Sequence, residues 1–125
     1  MFISDLNAIY SKAPAVERLS KLSNSTPQKI HLRGLVGSGA ALVAYATMQK
    51  IGGFHLLVLP DKEEAAYMLN DLENVAGKTL GEEAKVNNLP IELFFFPRSA
   101  RQAYEVEQTD NANVAMRAEV LNDLR

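Results

Sequence analysis

Cysteine is absent from the 125 residues. That excludes disulfides, thiolate metal sites and thiol catalysis, and it fits a reducing cytoplasm. No run of about 18 apolar residues occurs, so no membrane span is expected. The start, "MFISDLNAIYSK", places Asp5 early and has no basic head before an apolar core, which argues against a secretory leader. Neither sign of charge dominates: 13 Lys and Arg stand against 15 Asp and Glu, for a net charge of −2. A broad basic face of the kind that grips nucleic-acid backbones is therefore not expected. What the chain does have is apolar content: 47% of its residues are hydrophobic, enough for the core of one domain.

The apolar residues fall into a repeating order. Phe2, Leu6, Ile9 and Tyr10 recur at helical spacing, and Pro14 opens a second helical pattern with Val16, Leu19 and Leu22 on one side. "SNSTP" (23–27) reads as a loop. "KIHLRGLV" (29–36) reads as a strand with Ile30 and Leu32 on one face, and a helix is expected from Gly39 to Ile51, stopped by Gly52 and Gly53. "FHLLVLP" (54–60) is nearly all apolar, as a strand buried on both faces would be. Asp61, with Glu64 three residues on, suggests a capping box opening a helix that carries Tyr67, Met68, Leu69, Leu72 and Val75 and ends at Gly77. Residues 78–90 read as a polar loop, "IELFFFP" (91–97) as a third strand, and 98–109 as irregular. Asp110 is placed to cap a last helix with Val114, Leu121 and Leu124 inward. Strands alternating with helices predict right-handed crossovers and a parallel sheet, hence an α/β fold. The last helix carries no stop signal before Arg125, so the chain is expected to be cut from something longer.

"GLVGSGAALVAY" (34–45) is the most informative stretch. Gly34 and Gly39 stand at the spacing of a phosphate-binding P-loop, and Gly37 adds a third glycine. The residues that handle charge are missing: Ala40 replaces the Lys that holds the β- and γ-phosphates, and Ala41 replaces the hydroxyl that binds Mg²⁺. Two readings follow. Backbone N–H groups from Gly37 through Ser38 and Gly39 to Ala40, at a helix N-terminus, can meet an anion. Alternatively this is a tight turn with no ligand, and the alanines serve close helix packing. A dinucleotide fingerprint fits less well, because Leu42 takes the place of its third glycine and Asp61, 22 residues past Gly39, also suits a helix cap. A nucleophile elbow at Ser38 would need glycine at 36 and 40, where the chain has Val36 and Ala40.

Other candidates are sparser. His31 and His55 fall in expected strands and read as buried, singly hydrogen-bonded histidines rather than metal ligands. Glu63–Glu64 and Glu82–Glu83 read as solvated faces. No Asp-Glu pair ends an apolar strand, so no metal-holding acidic motif is present. Arg98 and Arg101 follow the third expected strand, at the edge where α/β sheets bind ligands, and read either as groups that meet phosphate or a partner's acid or, the favoured reading, as solvated or intramolecular ion pairs. With Tyr104 they form the one cluster of anchor-type side chains for an interdomain or partner contact.

"GLVGSGAALVAY", "LLVLPDKEEAAYMLNDLENV" and "LFFFPRSARQAYEVEQTDNANVAMRAEVLNDL" together resemble the N-terminal part of the bacterial transcription-repair coupling factors, over roughly residues 30 to 124. The likeness lies in order and spacing: a lysine-less glycine loop, "LP" with Asp61 behind it, "FP" at 96–97, Tyr104, and a helix carrying Arg117. Arg98 and Gln102 depart from the family, which usually carries Trp and acidic residues there. The resemblance implies a three-layer, RecA-like P-loop domain similar to UvrB, with a short parallel sheet and a degenerate Walker A loop. Residues 1–28 would be a helical extension and 29–125 the first part of the α/β domain. It also implies no catalysis and no cofactor in this chain, since ATP and Mg²⁺ belong to a separate motor. The whole protein would be an ATP-dependent translocase on double-stranded DNA, a helicase-like hydrolase that displaces stalled RNA polymerase and recruits UvrA for nucleotide excision repair. The UvrA-recruiting domain would follow the matched region. Damage probing, which UvrB performs with an aromatic-rich hairpin, is not implied where only Tyr104 stands. The chain would then be a scaffold packed against other domains. A nucleotide- or dinucleotide-binding domain using the Gly34–Gly39 loop is the alternative.

Overall fold

The computed structural model describes residues 2–23, 26–77, 91–98 and 111–125. Five helices form there: α1 (Ile3–Ser11), α2 (Pro14–Ser23), α3 (Gly39–Ile51), α4 (Lys62–Val75) and α5 (Asn111–Asp123). Three of the five starts have a visible local cause. The Asp5 carboxylate reaches back to accept from the Phe2 backbone N–H at 2.9 Å, satisfying a donor that a helix start leaves free. Pro14 opens α2, where its missing N–H costs nothing. At α4 the Asp61 carboxylate accepts from the Glu64 N–H at 2.8 Å. Gly52, at φ +66°, ends α3 in a conformation that disfavours side chains, while its N–H donates to the Met48 carbonyl.

α3 is the centre of the packing. One side joins Ala41 and Tyr45 to Leu72 and Val75 of α4; the other joins Val43 and Ala46 to Val16 of α2. A helix apolar on two sides belongs between neighbours, and the alanine-rich sequence lets them approach. The Asn7 side-chain amide donates to the Val75 carbonyl at 2.9 Å, tying α1 to the end of α4.

The expected parallel sheet is not formed. Among the described residues there is no strand, so the three-layer α/β assignment gives way to a helical fold. Residues 27–36, 54–60 and 91–98 run between helices without entering a ladder. A strand needs a second backbone about 4.8 Å away. Instead, 54–60 and 91–98 line a groove of about 1500 Å³. The reading of 54–60 as buried on both faces also fails: Phe54 is 93% exposed, Leu56 87% and Val58 83%. Residues 91–97, expected as a third strand, have no pairing partner among the described residues. Ile91 and Leu93 pack on the α3–α4 core, Glu92 and Phe94 are exposed, and Pro97 is buried. On α5 the expected inward residues Val114, Leu121 and Leu124 are exposed, and Asn113 and Val120 are buried instead. The loop expected over 78–90, the cap Asp110 and most of the segment 98–109 lie outside the described residues.

Candidate functional site

The glycine turn leads directly into α3. Gly34 and Gly37 adopt φ of +79° and +55°, the left-handed region where a Cβ is disfavoured. The Gly39 N–H closes a turn onto the Val36 carbonyl at 3.1 Å, and Leu42 bonds back to Ser38 at 3.0 Å. Ser38 precedes the helix with no hydrogen bond from its side chain to the helix start. Residues 34–38 are exposed, so the turn stands at the surface and the helix behind it in the core.

The two alanines have different surroundings. Ala40 is half-buried. Ala41 is 1% exposed and packed with Tyr45, Leu72 and Val75. The position that binds Mg²⁺ in a working P-loop is therefore a core position here. A hydroxyl there would have to be desolvated and would point among apolar side chains. The glycines at 34 and 37 are explained by backbone conformation and Ala41 by packing. Gly39 is required by neither, since its φ is not positive and a Cβ would meet nothing within 4 Å.

The dinucleotide alternative loses its acid. Asp61 is engaged as the α4 cap, and Leu42, at the third glycine position, packs against the α3–α4 core. The histidines are corrected as well: His31 and His55 are exposed rather than buried, and His55 Nε2 lies 2.9 Å from the Gly52 carbonyl. Glu63 and Glu64 are exposed as expected, with the Tyr67 hydroxyl donating to Glu63 at 3.3 Å. Among the described residues no three His, Cys, Asp or Glu side chains gather as a metal site would require, and no helix is long and apolar enough to cross a membrane.

Of the proposed contact cluster, Arg98 is exposed at the rim of the groove, while Arg101 and Tyr104 lie outside the described residues. The contact that sequence reasoning missed is at Arg117, whose guanidinium lies 4.9 Å from the centroid of the Phe96 ring. Lys62 Nζ donates to Asn113 Oδ1 at 3.1 Å, a second link from α5 to the rest of the chain. Neither was readable from spacing, because both join residues distant in sequence. No family model, curated protein or solved structure matches the chain.

Proposed function

We propose that this chain is a non-catalytic scaffold module of a transcription-repair coupling factor. Its task in that reading is to pack against other domains of the same protein. The observation that carries the non-catalytic part is the burial of Ala41: the turn keeps its glycine conformations, while the position for Mg²⁺ is filled by the core. The resemblance rests on three separate stretches, and contacts between them support reading them together. Leu42 of the first, Leu72 and Val75 of the second and Leu93 of the third share one cluster. The exposed apolar side chains of α5, Val114, Leu121 and Leu124, suit a piece that is covered in a larger assembly.

On this reading ATP hydrolysis, grip on double-stranded DNA, displacement of RNA polymerase and recruitment of UvrA are carried by other domains. The test is reconstitution in trans. The remaining domains of a coupling factor, expressed separately, are expected to co-purify with this chain, while purified UvrA is not captured by the chain alone. Failure to associate with those domains, or capture of UvrA by the chain as strongly as by the complete protein, would overturn the proposal.

A further inference from the structure

The segment 54–59 presents a problem that the helical core does not solve. Phe54, Leu56 and Val58 project almost wholly into solvent. No backbone N–H or C=O of 54–59 pairs with another backbone group among the described residues. Sheet edges in soluble proteins are normally blunted by lysine, proline or a bulge. Here "FHLLVL" carries no Lys, Arg, Asp or Glu, and proline comes only at its end, as Pro60. The segment combines unpaired backbone groups with apolar side chains and no charge to repel a second strand.

We infer that this segment pairs with the same segment of a second copy, in a closed two-fold dimer. Three observations favour a second copy as the occupant. The first is charge. An antiparallel pairing centred on Leu56 sets Leu56 opposite its own copy, Phe54 opposite Val58 and His55 opposite Leu57, so no Lys, Arg, Asp or Glu faces another charge. A net charge of −2 per chain leaves little long-range repulsion. The second is area. Phe54, Leu56 and Val58, with the exposed Leu57, Phe94 and Phe96 on the same groove, offer on the order of 700 Å² of apolar surface, close to the roughly 800 Å² per partner of a stable interface. The third is symmetry. A two-fold pairing uses the same patch on both copies and so closes on itself, whereas a head-to-tail contact leaves a copy of the patch free at each end and continues into a filament. The groove of about 1500 Å³ between this segment and 91–98 gives the partner's side chains a place to enter. This inference stands apart from the proposed function, since it uses only the surface of this chain.

Sedimentation velocity on the whole chain over a wide concentration series tests it. The expected result is a monomer–dimer equilibrium that stops at dimer, with an amide I sheet band and slowed amide exchange at 54–59 that grow as dimer forms. Leu56→Lys puts two ammonium groups into the pairing and is expected to weaken dimerisation on the order of thirty-fold, as loss of a central anchor does. Phe2→Lys, an equally exposed site on another part of the chain, is expected to leave it unchanged. Circular dichroism of Leu56→Lys should keep the helical signal, because the side chain is outside the core. A chain that stays monomeric at every concentration assigns this surface to a different partner and overturns the inference. So does growth beyond dimer, a Leu56→Lys variant that dimerises as tightly as the parent, or exchange at 54–59 that is independent of concentration.

Discussion

Gly37 and Gly39 lie two positions apart in one loop and answer to different constraints. Gly37 is held at φ +55°, where an alanine is strained; Gly39 has an ordinary φ and open space at its missing Cβ. Gly37→Ala is therefore expected to destabilise the chain by about 1 kcal/mol, and Gly39→Ala to stabilise it by a few tenths to about 1 kcal/mol by restricting the unfolded chain. Urea unfolding of the two variants checks this, and equal effects would remove the distinction between them. The same scale separates Ala40 from Ala41. Restoring both charge-handling groups, as Ala40→Lys with Ala41→Thr, is expected to cost about 1–3 kcal/mol through crowding at position 41. Nucleotide binding is not expected to return. Asp61→Ala removes the bond to the Glu64 N–H and is expected to cost about 0.5–2 kcal/mol, read from the same unfolding curves.

The elements differ in how firmly they are held. α3 and α4 share the core through Tyr45, Leu72 and Val75, so Leu72→Ala is expected to cost about 2–5 kcal/mol and to loosen both helices together. α5 is tied to Phe96 by the Arg117 guanidinium and to the start of α4 by Lys62, whose ammonium donates to Asn113. Arg117→Ala is expected to cost only about 0.5–1 kcal/mol, while raising amide exchange across α5 and leaving α3 protected. Exchange that rises equally in α3 would mean that α5 is part of the central core. The helices were the legible elements. The glycine stop after Ile51, the Pro14 start and the Asp61 cap mark real boundaries, because each acts within one turn of chain. The face of α5 was not legible. Val114, Leu121 and Leu124 fit an inward stripe by spacing, but which stripe is covered depends on neighbours the sequence of the helix does not specify.

At the scale of the whole molecule, the sheet is where local pattern and observed fold part. "FHLLVLP" and "IELFFFP" have the apolar and aromatic composition of strands, yet a ladder is a relation between two segments, and composition reports only one. Exposure alternates along 91–95 without a paired strand beside it, while 54–58 turns its apolar side chains to solvent. The candidate site was half legible for the same reason. The loss of Lys and hydroxyl at positions 40 and 41 is visible in the residues themselves. That Ala41 belongs to the core, and that Arg117 meets Phe96, arises only when distant parts pack. In the proposed function the glycine turn survives as a structural element without nucleotide chemistry. Calorimetric titration of the chain with ATP and Mg²⁺ tests it most directly. No saturable heat is expected up to millimolar nucleotide, with or without the metal. A micromolar, Mg²⁺-dependent isotherm of one nucleotide per chain, weakened by Gly37→Ala, would contradict it.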